Sequence, residues 1–266
     1  MGTWGKDKRM DFFEIEDEQV KRNTKSVAAI LLKDSLTDTS NGFSILKVKN
    51  YGKNYNLSDY ESFHDQYMIS GRVVTGFLVK EDVIATAGHC ANKGNVTDLR
   101  FVFGFKMQDP TTPVLRISNN NIYKGVRIVH TAYDKKRINS DWSLVQLDRK
   151  VEGQTIARLS HKDVFSEQQV YVLGHPCGLP LKYAPGANVR DVSDDSFGAN
   201  LDIYMGNSGS PIFNSNTHEV IGIVVNGDSR DFRWTGNGWV SVIYPNPEFD
   251  SPGSKCVRVS QFIDKL

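Results

Sequence analysis

The segment GNSGSPIF, residues 206–213, brackets a serine with glycines directly before an apolar run. Glycine lets a backbone turn tightly, so the pattern predicts a turn that exposes the Ser208 hydroxyl. In such a turn the N–H groups of Gly206 and Ser208 point at one spot, where they would stabilise a developing oxyanion. A serine is a poor nucleophile unless a base, an orienting acid and such donors surround it. Taken alone, the segment is explained equally well as a plain glycine-rich turn.

The candidate base is His89, in the segment ATAGHC at residues 85–90. It follows two apolar runs, VVTGFLV and DVIATAG, which the turn residues Lys80 and Glu81 separate as in a hairpin. This pattern places His89 at a strand end. A lone histidine is more often a surface or core residue than a base. The other histidines of the chain lack a comparable context: His64, His130, His161, His175 and His218.

The candidate orienting acid is Asp141, in SDWSLVQL at residues 140–147. An aspartate just ahead of an apolar run can be held buried against an imidazole N–H. The alternative is an ordinary turn aspartate. Four other aspartates lie in polar stretches that suit solvent: Asp134, Asp148, Asp194 and Asp195.

The remainder of the chain consists mostly of short apolar runs, rich in β-branched and aromatic residues, broken by Gly, Asn, Asp and Pro. This rhythm predicts an all-β barrel or sandwich. Two segments, residues 47–64 and 180–200, are interpreted as long loops. A short helix is predicted at the C-terminus, with Ser260 as the N-cap of QFIDKL.

Composition excludes several classes of function. The chain has 32 basic and 31 acidic side chains, so no field of one sign would attract nucleic acid or an anionic membrane. The sequence contains no run of 18 apolar residues, which a membrane-spanning helix would need. The first residues also lack the apolar core of a secretory signal. Three cysteines cannot form a disulfide framework. We therefore expect a cytoplasmic protein, or a secreted one if a leader has been removed.

In the chain order His, Asp, Ser, these segments resemble the motifs of the chymotrypsin-like serine peptidase family. The family motifs are TA-(A or G)-H-C, D-x-(A or S)-L and G-(D or N)-S-G-(G or S)-P. GIVVNG at residues 222–227 resembles the family's substrate-flanking strand, and the family also has a terminal helix. The resemblance covers residues 25–266. GNSGSP, LGHPCGLPLK and the opening DKRMDFFEIEDEQVKRNTKSVAAI look like the bacterial branch that includes the glutamyl endopeptidases.

The resemblance implies two six-stranded antiparallel β-barrels packed side by side, with the catalytic residues in the cleft between them. It implies an N-terminal extension at residues 1–24, a first barrel at 25–150 with His89 and Asp141, and a second at 151–266 with Ser208. The implied activity is that of a serine endopeptidase acting on a protein or peptide through an acyl-enzyme, with no cofactor or metal.

The sequence departs from the family pattern at three places. Trypsin-type enzymes carry an aspartate before the serine that receives the new N-terminus of a cut proenzyme, whereas Asn207 stands here, so we expect no such zymogen switch. Val74 replaces the usual partner of Cys90, which is therefore predicted to be a buried free thiol. Val225 stands where many relatives place a serine bonded to the catalytic aspartate, so Asp141 needs another donor.

The substrate-binding residues come from the same resemblance. Asp202, six residues before Ser208, matches the base of the pocket that selects Arg or Lys in trypsin-type enzymes, which suggests a basic P1 residue. A structural carboxylate is the alternative. Val224 stands where glutamyl endopeptidases place a histidine, which argues against that specificity. Asn226 and Gly227 are expected to line the cleft, with Gly227 offering backbone bonds to an extended peptide.

Other classes of function have some support in the sequence. A catalytically silent or partner-gated peptide-binding module on the same fold is the principal alternative. An esterase would lack the extended strand that GIVVNG supplies. A metal site at His175 and Cys177 has no second pair of ligands at suitable spacing, so GHPCGLP is interpreted as a structural turn.

Overall fold

The computed structural model describes residues 2–92, 94–134, 137–226, 230–244 and 253–266, and β-strands dominate it. The strands up to the middle of the chain are β1 (Thr3–Trp4), β2 (Met10–Asp11), β3 (Val27–Leu32), β4 (Leu36–Asp38), β5 (Phe43–Leu46), β6 (Val48–Asn50), β7 (Tyr67–Ile69), β8 (Val73–Lys80), β9 (Val83–Thr86), β10 (Leu99–Phe103), β11 (Arg116–Ser118), β12 (Ile122–Asp134) and β13 (Arg137–Leu147). The later strands are β14 (Gln169–Gly174), β15 (Lys182–Val192), β16 (Ser196–Ala199), β17 (Pro211–Asn214), β18 (Val220–Asn226), β19 (Phe232–Trp234), β20 (Trp239–Ser241), β21 (Ile243–Tyr244) and β22 (Ser254–Arg258).

Helices are short and lie between or beside the strands. The α-helices are α1 (Glu18–Thr24), α2 (Tyr51–Tyr55) and α3 (Gly88–Ala91). Single turns of 3₁₀ helix occur at Phe12–Glu14, Lys33–Ser35, Val96–Asp98, Asn119–Asn121, Pro176–Gly178, Val259–Gln261 and Ile263–Lys265. No helix in the described part of the chain is long and apolar enough to cross a membrane.

The first barrel closes through six antiparallel strands in the order β10, β12, β13, β9, β8 and β3. Strand β8 shows why its sequence is apolar on both faces. Val74 and Leu78 point into the barrel core, whereas Phe77 and Val79 belong to the cluster that faces the second barrel. Because side chains alternate along a strand, the continuous run VVTGFLV serves two hydrophobic layers at once.

The second barrel closes through β14, β17, β18, β22, β16 and β15, with β15 pairing back to β14. Its interior is filled by side chains such as Val172, Ile212 and Ile221. The two predicted six-stranded antiparallel barrels are thus confirmed. A cluster containing Phe77 and Trp142 of the first barrel and Phe213 of the second joins the two barrels.

The N-terminal residues pack against the second barrel. β2 extends its sheet by pairing with β15, and β1 runs parallel to β21. The N–H of Gly2 also donates to the Ile203 carbonyl over 3.1 Å. Asp17 then caps α1 by accepting the N–H groups of Gln19 and Val20. The chain is therefore fixed to the second barrel before it enters the first.

The segment from residue 180 to 200 is largely strand, so the prediction of a long loop was wrong there. β15 and β16 occupy most of it, although its Gly, Ala and Asp content disfavours strands. Pairing with β14 and β22 supplies the missing stability, and Gly186 adopts a positive φ of 74° within β15. In the other predicted loop, residues 47–64, the structure has β6 and α2.

The chain ends in a short helix, as predicted, made of two single 3₁₀ turns. Ser260 lies inside the first turn rather than capping it, because the turn begins one residue earlier, at Val259. Phe262 between the turns is fully buried in the cluster that joins the barrels, 5.8 Å from the Trp142 ring. The terminal segment therefore holds the two barrels together.

Candidate active site

His89 lies in α3, directly after β9. Its Nδ1 is 2.7 Å from Asp141 Oδ2, and its backbone N–H donates to Asp141 Oδ1 over 2.7 Å. Gly88 permits this approach, since a Cβ there would lie 2.9 Å from Asp141 Oδ1. The buried carboxylate accepts the Nδ1 proton, which leaves Nε2 as the basic nitrogen. The His89 backbone N–H is therefore the additional hydrogen-bond donor that Asp141 needs, because Val225 has no hydroxyl to supply one.

Side chains from neighbouring elements fix α3 in place. Arg72 Nη2 donates to the carbonyls of His89 and Cys90, at 3.2 and 3.0 Å. Asn92 donates its side-chain N–H to the Gly88 carbonyl over 2.8 Å and to Ser143 on β13 over 3.1 Å. The bonds from Arg72 serve carbonyls at the end of the helix, where carbonyls lack partners within the helix, and together these bonds hold α3 and His89 in place.

The environment of His89 favours its charged form. Burial of the ring lowers its pKa, but the hydrogen bond to Asp141 and the adjacent Cys90 side chain outweigh burial and raise the pKa to about 9. Asp141 therefore both orients the ring and stabilises the imidazolium that forms when a base accepts a proton. A ring with this pKa is a strong base that is mostly protonated at neutral pH.

Ser208 lies in the turn that precedes β17, between two glycines with positive φ, Gly206 at 99° and Gly209 at 88°. A Cβ at Gly209 would come within 2.0 Å of the Thr75 carbonyl oxygen, so this position excludes larger residues. Thr75 of β8 holds the turn from the first barrel. Its N–H donates to the Ser208 carbonyl over 3.0 Å, and its hydroxyl donates to the Gly206 carbonyl over 2.9 Å.

The serine turn presents backbone N–H donors to the cleft. In the described residues, neither the Gly206 N–H nor the Ser208 N–H donates to a protein atom, whereas the N–H groups of Asn207 and Gly209 are bonded to Tyr204 and Val224. Two neighbouring free donors beside a serine are the arrangement that an oxyanion requires.

A cavity of about 340 Å³ brings these groups together. His89 of the first barrel and Ser208 and Gly206 of the second all line it. Within the described part of the chain, Ser208 Oγ makes no hydrogen bond to the His89 ring. Such bonds are often long without substrate and tighten when it binds. The cavity also has apolar walls, which include Met68, Val73 and Met205.

Sequence reasoning missed Thr75 and the supporting role of the GHPCGLP segment. The predicted structural turn is the 3₁₀ turn Pro176–Gly178, and the His175 carbonyl lies within 2.5 Å of the position of a Cβ on Gly206. The His175 N–H donates to the Thr75 hydroxyl over 3.1 Å. The available signal for Thr75 was a single hydroxyl in the apolar run VVTGFLV, because a buried polar group needs a partner.

The structure places Asp202 beside the N-terminal segment. It is buried, and its two carboxylate oxygens accept the N–H groups of Trp4 over 2.7 Å and Lys8 over 3.2 Å. It does not line the cavity that contains His89 and Ser208. Burial raises its pKa to about 6 although the two N–H bonds oppose this rise. The structural alternative for Asp202 is the one that the geometry favours, because the N-terminal segment already occupies its oxygens.

The other expected substrate-binding residues have different positions. Val224 belongs to the core of the second barrel, and its backbone is bonded to Gly209 and Ser210, so its side chain does not reach the cleft. Asn226 is exposed at the end of β18. Gly227 lies outside the described residues.

Asn207 is buried beneath the serine turn. Its side-chain Oδ1 accepts a hydrogen bond from the Ser210 hydroxyl over 3.3 Å. Cys90 is a buried free thiol, as predicted, with its sulfur 3.7 Å from the Ser208 carbonyl oxygen. Among the described residues, no three His, Cys, Asp or Glu side chains group closely enough to hold a metal ion.

Solved protease structures share this fold at low sequence identity. A Glu endopeptidase is 14% identical with a TM-score of 0.57, covering 99% of this chain and 98% of its own. The VesB protease of Vibrio cholerae is 13% identical with a TM-score of 0.57, covering 97% and 65%. An inactivated protease paralogue of the scabies mite, S-D1, is 11% identical with a TM-score of 0.58, covering 97% and 94%. At these identities the likeness shows the fold alone.

The Trypsin family model matches residues 58–233, which is more than half of the chain. The match spans His89, Asp141 and Ser208, and the fold around them is the chymotrypsin-like pair of barrels. The chain therefore belongs to the Trypsin family of serine proteases.

Proposed function

We propose that this protein is an active serine endopeptidase in which His89, Asp141 and Ser208 form the catalytic triad. The observation that carries the proposal is the pair of 2.7 Å contacts from His89 to Asp141, on the same cavity as Ser208. Family membership adds that the substrates are proteins or peptides.

The proposed reaction follows from the roles of these groups. Ser208 Oγ attacks the scissile carbonyl carbon while His89 Nε2 accepts the hydroxyl proton. The carbonyl oxygen, now negative, is bound by the N–H groups of Gly206 and Ser208. The imidazolium, stabilised by Asp141, gives its proton to the leaving amine. Water then attacks the acyl carbon while His89 accepts its proton, and His89 gives that proton to Ser208 Oγ as the ester bond breaks and the acid product leaves.

We propose that the protein needs no N-terminal cleavage to become active. Asn207 is a neutral amide already bonded to Ser210, and it cannot form an ion pair with a new N-terminus. The N-terminal segment instead contacts Asp202 through the Trp4 and Lys8 N–H groups. The support for a preformed oxyanion site is the pair of free N–H groups at Gly206 and Ser208.

For specificity, we propose that Asp202 does not select a basic P1 residue, because its oxygens bond to the N-terminal segment. The exposed Asn226 is retained as a cleft residue, with Gly227 beside it in the sequence as a backbone partner for extended peptide. We therefore expect a feature other than a buried carboxylate to set the P1 preference.

A silent or partner-gated peptide-binding module is the second candidate. The observation that favours it is the fold shared with inactivated paralogues of the scabies mite. A silent module would keep the cleft but not turnover.

The test is cleavage of a mixed fluorogenic peptide library by the wild-type protein and by Ser208→Ala. We expect the wild type to cleave without any prior processing and the variant to lose at least about 10³-fold in rate. Ser215→Ala, which changes a serine outside the cavity, is the matched control and should cleave like the wild type. Equal cleavage by Ser208→Ala would disprove the triad. Silence of a folded wild type would favour the binding module.

A further inference from the structure

A second cavity, of about 260 Å³, lies away from Ser208 between the two barrels. Residues of α1, the segment after β10, the connection between the barrels and the GHPCGLP turn all contribute to it. Lys25, Lys106, Gln154 and His175 are among the side chains that line it. No residue of the proposed triad takes part, so the cavity is not a portion of the protease cleft.

The charge of this cavity is positive and uncompensated in the described part of the chain. Its described lining contains Lys25 and Lys106 but no Asp or Glu. Neither lysine forms an ion pair with a described carboxylate. Lys106 Nζ lies 3.3 Å from the centroid of the Phe12 ring, a contact that holds the ammonium group without neutralising it. Burial and the repulsion from Lys25 lower the pKa of Lys106.

Uncharged polar groups complete the wall. Gln154 donates to Asn121 Oδ1 over 3.2 Å, which orients both amides at the cavity. His175 is almost completely buried and stacks on Phe105. Its Nδ1 lies 3.0 Å from the Leu179 carbonyl oxygen and donates to it. In the neutral ring, Nε2 is then an acceptor, and no described protein group donates to it.

The ring of His175 stays neutral, which decides the kind of anion that fits. Burial lowers its pKa to about 4, and nearby Lys182 also lowers it. An acceptor nitrogen repels a fully ionised anion but bonds to an acid O–H. Inorganic phosphate retains a proton at neutral pH, whereas sulfate does not. Lysine ammonium groups are established phosphate binders, as compact point charges.

We propose that the cavity between Lys25, Lys106 and His175 is a binding site for hydrogen phosphate. The two ammonium groups would neutralise its charge, and its O–H would donate to His175 Nε2. Because the wall comes from both barrels and from α1, an occupied site would tie these parts together. Binding would then stabilise the folded protein through the preference of the ligand for the native state.

The experiment is a calorimetric titration of the full chain with inorganic phosphate, and a thermal melt at constant ionic strength with chloride as the balancing salt. We expect saturable binding and a rise in Tm of about 5 °C at a phosphate concentration near 100 Kd. Sulfate should bind at least about tenfold more weakly, because it leaves Nε2 without a donor.

Lys106→Met and Lys25→Met should each weaken phosphate binding by about tenfold or more. Lys25 is exposed, so its replacement keeps the fold even if the Lys106 variant proves unstable. Lys47→Met removes an equally exposed charge outside the cavity and should bind like the wild type. Absence of saturable binding, equal affinity for sulfate, or unchanged binding by Lys25→Met would overturn the proposal. All of these outcomes are independent of proteolysis.

Discussion

Two hydrogen bonds that His89 donates to a single carboxylate set the properties of the proposed base. The Asp141 oxygens are both engaged, one with the ring and one with the backbone N–H. A carboxylate in this position stabilises the charged ring, and Cys90 adds to the effect. The proposed base is therefore strong but mostly protonated at neutral pH.

This environment predicts an alkaline activity profile. Only the neutral ring can accept the Ser208 proton, so kcat/KM should rise with pH through a midpoint at about pH 9 and level off only above that midpoint. Cys90→Ala should move the rise to lower pH, because the Cys90 side chain contributes to the raised pKa. Cys256→Ala, in the core of the second barrel, should leave the midpoint in place. Stopped assays across the pH range measure the midpoint of kcat/KM. A wild-type midpoint near the ordinary histidine value of 6.5 would refute the raised pKa of His89.

We expect Thr75 to act as a positioning residue rather than a catalytic one, and single substitutions of Thr75 test this role. Thr75→Val keeps the shape but removes the bond to the Gly206 carbonyl and the acceptor for the His175 N–H. We expect a stability loss of about 2 kcal/mol and a fall of about tenfold in kcat with little change in KM. Thr75→Ser, which keeps the hydroxyl, should restore kcat. Denaturation measures the stability of both variants, and steady-state kinetics measure their kcat and KM. An unchanged kcat in Thr75→Val would exclude the positioning role.

At the scale of elements, the N-terminal segment behaves as part of the second barrel. β1 and β2 pair with β21 and β15, and the Trp4 ring stacks on Tyr244 with centroids 4.8 Å apart. Asp202 fastens the same segment through two backbone N–H groups. The segment that leads into the serine turn therefore depends on residues near the start of the chain.

Asp202→Ala tests this role. It leaves two N–H groups in a largely buried site without an acceptor, so the free energy of unfolding should fall by about 1–3 kcal/mol. The P1 preference should stay unchanged. Asp109→Ala is the matched control, because Asp109 also accepts two backbone N–H groups but is exposed, where water replaces it. Urea denaturation and a P1 profile measure both effects, and loss of a basic preference in Asp202→Ala would restore the pocket role.

The sequence could predict the residues of the proposed triad but not the partners of Asp202 and Thr75, because the two kinds of contact differ in range. His89, Asp141 and Ser208 each stand in a short motif whose local pattern carries the signal. The partners of Asp202 and Thr75 lie 198 and 131 residues away, at Trp4 and Gly206, so no local pattern reports them. The same reason hid β15, whose Ala, Pro and Gly residues become strand only through pairing with β14.

At the scale of the whole molecule, the proposed activity depends on how the barrels are joined, since His89 comes from one barrel and Ser208 from the other. Two-barrel organisation was predicted through family resemblance, whereas the strand rhythm alone allowed a barrel or a sandwich. The cluster containing Phe77, Trp142 and Phe213 joins the barrels, and Phe262 of the C-terminal segment completes it.

Phe262→Ala should therefore affect both stability and catalysis. Removal of this fully buried ring should cost about 3–5 kcal/mol and lower kcat/KM as the barrels shift. Phe165→Ala, at an exposed position, should change neither. Urea denaturation and steady-state kinetics of the two variants measure these effects. A stability loss below about 1 kcal/mol for Phe262→Ala would contradict the proposal that Phe262 helps to join the barrels.

The most direct test of the proposed protease is covalent labelling with a fluorophosphonate, followed by mass mapping of the modified peptide. An activated serine beside two oxyanion donors reacts with this probe, whereas an ordinary serine does not. We predict a single adduct on Ser208 in the wild type, none in Ser208→Ala, and labelling slowed by about 10⁴ in Asp141→Asn. A folded wild type that takes up no label, or a label that persists in Ser208→Ala, would contradict the proposed triad.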